Sequence, residues 1–563
     1  MVEEKRVRAG DREAQGAELG GPIAEFRALP RRALDPRRPY KPLDVGEDGL
    51  VASLDGAGRL VAITQAHRSV GWAVATPADP MDARRRFDQG AVRRYRASLA
   101  SPDAASFGLV AAGRDGRVRR PRAWLVHDAL PVVALPEGIL LVTVVPTATD
   151  TGGARGIVQL ALGPSASPSH VRWSGRLRLD RAELPELTEV APLAPLERRP
   201  AVRIHDHRLV IEEPALPWAV AVAGDLDRVT GRCTDDGFVE FEAELRRPVR
   251  AVVIGLGENG RDALAAAEGL LRIGPAELVA RALERWRRRW EGLPADLLVR
   301  RGLGYALSCC AAPIDDAVAL VTDHRILPLV WPRDGYFVAK ALLGWWTRTG
   351  LGELREIVRR HLRWLFELAA RPEGSWARAH LANGQRKDEV FQLDQQLYPI
   401  LELAEYVRLT GDREPLDRWS REIERALRAV RARRAAGSPL YATEETAADD
   451  PAGVPYLLAG HILLVHVIEL LAGLGFDAAA ILDEPDAIRR AARAAFTVPG
   501  PCGEPVFAYG TDLHGTWLLG HDANDIPLVL APSWGFCPPS DPVWRATVAV
   551  AFSQHNPSFF AGR

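Results

Sequence analysis

Residues 376–403 read "WARAHLANGQRKDEVFQLDQQLYPILEL", and this stretch decides the fold because a long polar loop leads directly into an apolar helical pattern. Apolar residues then recur with the spacing of one helix face, at positions 397, 400, 401 and 404. Pro399 is tolerated in the first turn of a helix and not in its middle, so a helix is predicted to begin near it. Asp394 is therefore expected at the loop end of this helix.

Helical patterns separated by loops continue through the C-terminal half of the chain. From residue 297 onward, roughly nine helical segments are bounded by Gly, Pro or Asp signals, and no strand pattern interrupts them. Long connections such as 371–393 hold most of the Trp, His and paired carboxylates of this half. Long loops in compact domains are usually functional. The pattern predicts concentric helical hairpins with functional loops on one rim, which is an (α/α)6 toroid over residues 297–563.

The N-terminal half has a different pattern of residue types. Between residues 41 and 272, short β-branched stretches alternate with Gly, Pro and Asp turns, which predicts a large, supersandwich-like β-sandwich domain. The basic stretch "AELVARALERWRRRWEGL" could be a nucleic-acid or membrane helix, but its Leu and Trp spacing favours a linker helix over residues 273–296. Residues 1–40, rich in Arg, Glu and Gly, are predicted to be a flexible tail.

Composition narrows the class of partner. The chain has 72 Lys and Arg against 73 Asp and Glu, a net charge of -1, so no global field attracts nucleic acid or an anionic membrane. A small neutral molecule is the expected partner. The apolar run beginning at Val454 carries His461, His466 and Glu469, which are costly in lipid, so a fully buried helix is predicted there.

Cysteine usage and the N-terminus point to a compartment. The 5 cysteines include no CxxC pair, so neither a disulfide framework nor a zinc site is indicated, and we expect reduced core residues. The first residues, "MVEEKRVRAGDREAQGAELG", have no apolar segment of the signal-peptide type. A cytoplasmic protein is therefore the expectation.

One rim segment, residues 329–338, reads "LVWPRDGYFV" and sets Arg333 and Asp334 between Trp331 and Tyr336. A sugar offers hydroxyls that need bidentate polar partners and C–H faces that stack on aromatic rings, so this composition suits a hexose. The alternative is an Arg–Asp pair that caps a helix starting at Gly335, with Trp331 in the core. Composition alone does not decide between them.

Further carboxylates and polar side chains crowd the predicted rim. Asp388 and Glu389 precede Asp394; a capping or solvated role is favoured for Asp388, whereas partial burial of Asp394 would raise its pKa as a general acid requires. The other rim candidates for substrate binding are Trp376, Gln395, Asp449, Asp450, His521, Asp522, Asn524, Asp525 and Trp534. A metal site at His521 lacks a second His at ligand spacing, so no metal or cofactor is predicted.

Four ordered blocks resemble a known group of enzymes. "FQLDQQLYP", "ADDPAGVPYL", "HDANDIPLVLAPSWGF" and "SQHNPSFFAGR" are similar to the bacterial (α/α)6 glycosidases related to glycoside hydrolase family 125, the metal-independent exo-α-mannosidases. "WPRDG" is also similar to the glucoamylase family. The resemblance covers about residues 300 to 563. It implies that Asp394 is the general acid and that Arg333 and Asp334 hold hydroxyls of the terminal sugar.

The chain also departs from that pattern. "HDANDIP" has one more Asp than the family's Asp-Ala-Asn-x-Pro, and the family's general base lies beyond the block matching "NPSFFAGR". Roughly nine helical segments are fewer than the six hairpins of a closed toroid require. We therefore expect either a C-terminal truncation or an open relative that has lost activity. Within the chain, Glu444 or Glu445 is the fallback candidate for the base.

The leading functional hypothesis is an inverting exo-glycosidase for α-linked hexosides, with α-mannosidase activity foremost. Asp394 would protonate the glycosidic oxygen while a second carboxylate, roughly 6.5 to 9.5 Å away, activates water. The alternatives are a glucoamylase-like α-glucosidase, a glycoside phosphorylase and, from another class, an inactive carbohydrate-binding relative. The sugar, the aglycone and the oligomeric state are left open by the sequence.

Overall fold

The computed structural model of the protein describes residues 29, 31–34, 43–81, 83–85, 88–99, 101, 104–111, 122–135, 139–162, 171–181, 196–245 and 250–559. Its contacts divide the chain into two compact units. The β unit extends to Leu329 apart from Asp316–Val318. The helical unit contains Asp316–Val318 and Val330–Arg563.

Two large antiparallel sheets form the β unit. Their strands are β1 (Arg31–Ala33), β2 (Leu43–Glu47), β3 (Leu50–Leu54), β4 (Leu60–His67), β5 (Gly71–Thr76), β6 (Gly108–Ala111), β7 (Arg122–Val126), β8 (Leu130–Ala134), β9 (Leu140–Val144), β10 (Arg155–Leu162), β11 (Val171–Arg181), β12 (Ala201–His205), β13 (Arg208–Glu212), β14 (Ala219–Gly224), β15 (Leu226–Cys233), β16 (Val239–Leu245) and β17 (Arg250–Gly257). The 9-stranded sheet has the order β1-β7-β8-β9-β10-β17-β14-β13-β12. The 8-stranded sheet has the order β15-β16-β11-β5-β4-β3-β2, with β6 also paired to β11.

Burial on both faces explains the near-continuous apolar strands of this unit. Every residue of β3 is buried, as is nearly all of β10. The Gln159 side chain of β10 donates a 3.1 Å hydrogen bond to the Gly58 carbonyl in the turn before β4, which links the two sheets. The predicted β-rich N-terminal region is thereby confirmed.

The helices of the β unit are α1 (Gln89–Leu99), α2 (Ala148–Thr151), α3 (Gly260–Ile273), α4 (Pro275–Arg289) and α5 (Leu297–Tyr305), with a short 3-10 turn at Ala83–Arg85 and a π turn at Ala306–Cys310. Helix α4 is the predicted linker helix. It buries Leu278, Val279 and Trp286, while Arg289 forms a bidentate ion pair with Glu47 at 2.6 and 3.0 Å. Its face is therefore engaged inside the unit, which argues against the nucleic-acid alternative.

The helices of the helical unit are α6 (Pro332–Thr349), α7 (Gly352–Arg363), α8 (Leu393–Thr410), α9 (Glu414–Arg418), α10 (Ser420–Arg431), α11 (Leu458–Gly473), α12 (Pro485–Phe496), α13 (Ile526–Leu530) and α14 (Pro542–Ala551). Further turns are the π turn Trp364–Leu368 and the 3-10 turn Pro372–Gly374. The predicted helical C-terminal part is confirmed, whereas the closure and completeness of an (α/α)6 toroid stay a prediction.

Short strands correct the prediction that no strand follows residue 297. They are β18 (Ala311–Ile314), β19 (Ala317–Leu320), β20 (Leu329–Val330), β21 (His380–Leu381), β22 (Tyr456–Leu457), β23 (Thr497–Pro499), β24 (Pro505–Phe507), β25 (Gly510–Thr511) and β26 (Trp517–Leu518). Strands this short show no period of two in the sequence. They tie the long loops together, as β22, β25 and β26 do in one small sheet.

One helix start also differs from its prediction. Helix α8 begins at Leu393, so Pro399 lies inside it and Asp394 lies in its first turn. An interior Pro costs about 3 kcal/mol, and burial of most of this 18-residue helix outweighs that cost. Helix α11 is buried over most of its length, but Glu469 and the last turn are exposed, which corrects the prediction of a fully buried helix. His461 is satisfied by the Leu457 carbonyl and the Tyr441 amide. No helix in the described part of the chain is long and apolar enough to cross a membrane.

The domain and cysteine predictions have mixed outcomes. The predicted tail, residues 1–40, falls mostly outside the described residues, but Arg31–Ala33 pairs with β7 as an edge strand. Helix α5, predicted to open the catalytic domain at 297, groups by contact with the β unit, and the functional domain boundaries stay a prediction. Of the five free cysteines, Cys233 and Cys502 are exposed, which corrects the expectation that all are core residues.

A glycine allows α6 and α7 to approach closely. Gly335 lies in the first turn of α6, and a Cβ added there would stand 2.8 Å from His361 Nε2. The His361 ring cannot move away easily, because its Nδ1 donates to the Val318 carbonyl at 2.9 Å and its face stacks on Trp364. The Gly of "WPRDG" is therefore required for helix packing.

We expect Gly335→Ala to destabilise the protein. The clash should cost about 1–3 kcal/mol, against a gain in helix propensity of about 1 kcal/mol. Gly344→Ala in the same helix is the matched control, since nothing lies within 4 Å of a Cβ there. It should stabilise the helix. Equal, stabilising shifts of both variants in urea unfolding would contradict this account of the packing.

Candidate active site

One guanidinium group lies at the centre of the candidate site. Arg333, in the first turn of α6, donates from Nη1 to Asp394 Oδ2 at 2.9 Å. Its Nη2 lies 3.7 Å from Asp334 Oδ2 and 3.7 Å from Asp449 Oδ1. The Arg333 side chain is only 11% exposed. Carboxylates from α6, α8 and the loop before α11 thus converge on one cation, whose planar fork suits several oxygen partners at once.

Backbone contacts fix the position of Arg333. Its amide donates to Gln395 Oε1 at 2.8 Å, which ties the start of α6 to the first turn of α8. Helix α6 begins at Pro332, and Trp331 occupies its N-cap without a side-chain cap bond. The alternative of an Arg–Asp cap on a helix starting at Gly335 is therefore wrong. Asp334 instead lies in the first turn, where the helix dipole favours a negative charge.

Trp331 is not a core residue. Its indole is partly exposed, and its Nε1 donates to Asp449 Oδ2 at 2.8 Å. Asp449 adopts a left-handed backbone conformation with φ of 62°, which Asp tolerates better than most residues. The indole and the guanidinium therefore hold the same carboxylate from two sides.

The Asp449 carboxylate continues into a second polar cluster through Gln392. Gln392 Nε2 donates to Asp449 Oδ1 at 2.9 Å and to Glu445 Oε2 at 3.1 Å. Glu445 also accepts two bonds from Arg378 Nη1, at 2.9 and 3.1 Å. Burial raises the pKa of Glu445, and the charge of Arg378 opposes that effect. The network therefore extends from Asp394 to Glu445.

Arg378 lies between two largely buried carboxylates. In addition to Glu445, it donates from Nε to Asp388 Oδ2 at 2.9 Å. The sequence analysis missed both Arg378 and Gln392. The sequence did contain a signal for them. The rim loops hold several carboxylates, and a buried carboxylate is normally paired with a cation or hydrogen-bonded, so nearby Arg and Gln residues could have been considered as partners.

Asp525 is the most unusual carboxyl group of the site. It is 5% exposed, and its Oδ2 has no hydrogen-bond partner. Burial and the negative charges of Asp522 and Asp394 raise the pKa of Asp525 to about 8, against the opposing charge of Arg333. A carboxyl group in this environment is protonated at neutral pH.

The loop that carries Asp525 is fixed on both sides. His521 is buried, and its Nε2 donates to the Phe507 carbonyl at 3.1 Å, while Asn556 donates to the His521 carbonyl at 2.8 Å. Asp522 accepts a 2.7 Å bond from the Asn524 amide, and Asn524 itself is exposed. Burial lowers the pKa of His521. The described residues contain no group of three or more His, Cys, Asp or Glu arranged for a metal ion.

The structure places two predicted aromatic candidates in the core. Trp376 is buried, packs against Phe366 and donates from Nε1 to the Leu365 carbonyl at 3.0 Å. Trp534 is also buried and stacks on His466 with ring centroids 4.8 Å apart. Neither ring offers an open face to a sugar, which corrects their prediction as substrate-binding residues.

Three acidic candidates also lie apart from the Arg333 network. Glu389 is exposed and pairs with Arg386. Glu444 pairs with Arg433 at 2.8 Å and accepts from the Phe391 amide. Asp450 is exposed. Glu445, rather than Glu444, is therefore the candidate base that shares hydrogen bonds with the site.

Replacing Arg378 should cost much of the stability of the helical unit. In Arg378→Ala, Asp388 keeps only the longer contact with Lys387 Nζ at 3.4 Å and Glu445 loses its cation, and an uncompensated buried charge costs about 3–5 kcal/mol. The loss should shrink as the pH falls, because burial raises the pKa of Glu445 and this carboxyl can then take up a proton. Arg386→Ala, which breaks only the pair with exposed Glu389, should cost less than about 1 kcal/mol. Similar losses for both variants in denaturant unfolding would contradict the burial argument.

A protein-family model agrees with the resemblance carried by the sequence motifs. Residues 447–563 match the family model of the metal-independent alpha-mannosidases, GH125. No curated protein matches the sequence significantly. The matched segment includes Asp449 and Asp525 but neither Arg333 nor Asp394.

Three solved structures illustrate the structural likeness. A metal-independent alpha mannosidase from Streptococcus pneumoniae, in a non-productive complex with alpha-1,6-mannobiose, shares 18% identity over 51% of this chain and 78% of its own, with a TM-score of 0.42. A bacterial glucoamylase complexed with acarbose shares 11% identity over 86% of this chain and 73% of its own, with a TM-score of 0.50. A proposed kojibiose phosphorylase from the human microbiome shares 9% identity over 84% of this chain and 70% of its own, with a TM-score of 0.46. The predicted resemblance to these glycosidase families is confirmed, and the likeness to the glucoamylase concerns the fold alone.

Proposed function

We propose that this chain is a glycoside hydrolase that removes a terminal α-linked hexose, and that its helical unit is an (α/α)6 toroid. The observation that carries the proposal is the convergence of Asp334, Asp394 and Asp449 on Arg333 beside the partly exposed indole of Trp331. These groups supply charged hydrogen-bond partners for sugar hydroxyls and an aromatic face for the ring. A few such polar groups around an apolar surface are what fix the orientation of a small ligand.

An α-mannoside is the proposed substrate. The match of residues 447–563 to the metal-independent alpha-mannosidases supports this choice over an α-glucoside. Hydrolysis by a pair of carboxyl groups uses no metal or organic cofactor. Glu445 is proposed as the base that activates water, because Gln392 links it to Asp449 and Glu444 has no such link.

Charge favours hydrolysis over phosphorolysis. Asp334, Asp394 and Asp449 all lie within ion-pairing distance of Arg333. A phosphate ion would have to displace one of them and approach the others, whereas water meets no such repulsion. Release of mannose from p-nitrophenyl α-mannoside, with no dependence on added phosphate, is the expected result. Faster cleavage of the α-glucoside would indicate an α-glucosidase instead. Strict dependence on phosphate would indicate a phosphorylase and contradict the proposed hydrolysis.

Removal of the Asp394 carboxyl should abolish most turnover. Asp394 is the proposed general acid, and Asp394→Asn keeps the shape of the side chain but has no acidic proton to give, so we expect kcat/KM on an unactivated α-linked disaccharide to fall about a hundred- to ten-thousandfold. Sugar binding should be largely retained. A variant with more than a tenth of the wild-type activity would show that Asp394 has no part in the chemistry. Binding without turnover in the wild type itself would support the alternative of an inactive carbohydrate-binding relative.

Removal of Arg333 should weaken sugar binding. Hydrogen bonds to charged groups contribute about 1.5–3 kcal/mol, so Arg333→Ala should raise the Kd for mannose or its disaccharide roughly tenfold to a hundredfold. Arg434→Ala is the control, because Arg434 holds Asp483 through two bonds away from the site. It should lower the Tm and leave sugar affinity unchanged. A lower Tm for Arg333→Ala with unchanged sugar affinity would contradict the proposed role of Arg333 in sugar binding.

A further inference from the structure

One His–Glu pair between α7 and α8 buries three polar atoms that have no hydrogen-bond partner. His361 of α7 is 0% exposed and Glu402 of α8 is 1% exposed. Both carboxyl oxygens of Glu402 and the Nε2 atom of His361 lack a partner among the described residues. Nε2 lies 3.8 Å from Glu402 Oε2, which is within ion-pairing distance but longer than a hydrogen bond. The unsatisfied groups of the two helices are therefore neighbours.

Glu402 differs from the other buried carboxyl groups of the helical unit. Asp388 has one unpartnered oxygen, but its other oxygen pairs with Arg378 at 2.7 Å. Asp525 also has one unpartnered oxygen. Glu402 has two, and no Lys or Arg of the described residues lies within ion-pairing distance of it. A buried carboxylate without a cation costs a protein several kcal/mol, so the state of this group needs an explanation.

The ionisable groups around the pair do not supply that cation. Glu405, on the same helix as Glu402, adds negative charge. Lys340 of α6 donates to Glu405 at 2.9 Å and to the Tyr336 hydroxyl at 2.8 Å, and that hydroxyl donates to Glu405 at 3.2 Å. Burial and the charge of Lys340 lower the pKa of His466, on α11, to about 4. The charge of Lys340 is thus committed to Glu405.

A second buried histidine shows what His361 lacks. In His361 and in His461, Nδ1 lies at a backbone carbonyl, at 2.9 and 2.7 Å, so this nitrogen carries a hydrogen. Nε2 of His461 accepts a 2.9 Å bond from the Tyr441 amide. Nε2 of His361 faces the Glu402 carboxyl instead. That carboxyl can donate a hydrogen to the imidazole, as the Tyr441 amide does, only when it is protonated.

The number of protons on the pair decides its energy. With no proton to share, Glu402 is a buried anion beside a neutral imidazole, and with two, His361 is a buried cation beside a neutral carboxyl. Either state leaves one uncompensated charge. With one proton the pair has no net charge, whether the proton is on oxygen or on nitrogen. We propose that His361 and Glu402 share one proton and form a pH-dependent switch in the packing of α7 against α8.

The switch lies next to the first turn of α6. A Cβ added to Gly335 would stand 2.8 Å from His361 Nε2, so this nitrogen is in close contact with the turn that carries Arg333. Loss of the shared proton leaves a buried negative charge beside that turn. The proton therefore stabilises the packing of α6, α7 and α8 together. This inference goes beyond the proposed function and does not depend on it.

Burial changes both pKa values in the directions that keep one proton on the pair. Burial, with the charge of Glu405, raises the pKa of Glu402 well above 4.5, and burial lowers the pKa of His361 from 6.5 to about 4. In the unfolded chain the two groups hold one proton between pH 4.5 and 6.5 and none above 6.5. Above pH 6.5 the folded protein therefore binds one proton more than the unfolded chain. Its stability falls as the pH rises, until the folded state releases that proton.

Glu402→Gln tests the switch, because its amide can donate to Nε2 but has no titrating proton. In urea unfolding of the full chain from pH 7 to 9, the unfolding equilibrium constant of the wild type, divided by that of Glu402→Gln, should rise by up to about tenfold per pH unit. His461→Gln is the matched control, since His461 is also 0% exposed but accepts from a backbone amide. Its ratio to the wild type should not vary over this range.

A ratio for Glu402→Gln that stays constant with pH would overturn the proposal. It would mean that Glu402 is ionised in the folded protein and that a buried water satisfies the three atoms. A measurement on the wild type decides the matter if Glu402→Gln does not fold. At pH 7, NMR should show either a protonated carboxyl in the 13C signal of Glu402 or hydrogens on both ring nitrogens of His361. A carboxylate signal together with a neutral imidazole would also overturn the proposal.

Discussion

The compensation of buried charge at Arg333 is the constraint on which the rest of the site depends. A guanidinium that is 11% exposed requires negative partners, and its fork draws Asp394, Asp334 and Asp449 together from separate elements. The Arg333 amide adds a second tie between α6 and α8, because it donates to Gln395 Oε1. The first turns of α6 and α8 and the loop of Asp449 are therefore held together by this cation.

The sequence was sufficient for those features that a period or a short motif encodes. The β-rich half follows from short β-branched stretches between turn residues, the helical half from the 3.6-residue spacing of apolar residues, and helix α11 from its continuous apolar run. The motif "WPRDG" led to Arg333 and Asp334 because Arg, Asp and Trp in so short a stretch have few structural explanations. Asp449 was found for a similar reason, since it lies in a long acidic loop.

Other features depend on the directions of side chains, which composition does not record. Trp376 and Trp534 were grouped with the rim because their neighbours are polar, yet both indoles point into the core. Arg378 and Gln392 were missed because their role comes from partners on distant loops, up to 67 positions away in the chain. Pro399 misplaced a helix start because the burial of α8 as a whole outweighs one lost backbone bond.

The site thus contains two kinds of buried carboxyl group. Asp388, Asp394 and Glu445 are paired with arginines, and such ion pairs fix the positions of the elements that carry them. Asp525 has no cap bond and its Oδ2 is unpartnered, while burial and the negative charges of Asp522 and Asp394 raise its pKa. Capping by Asp541 shows that the same residue at an equivalent position can be fully satisfied in this chain. The difference lies in the partners of the two groups: Asp541 accepts from the Val543 and Trp544 amides and pairs with Arg493, whereas Asp525 has no cap bond.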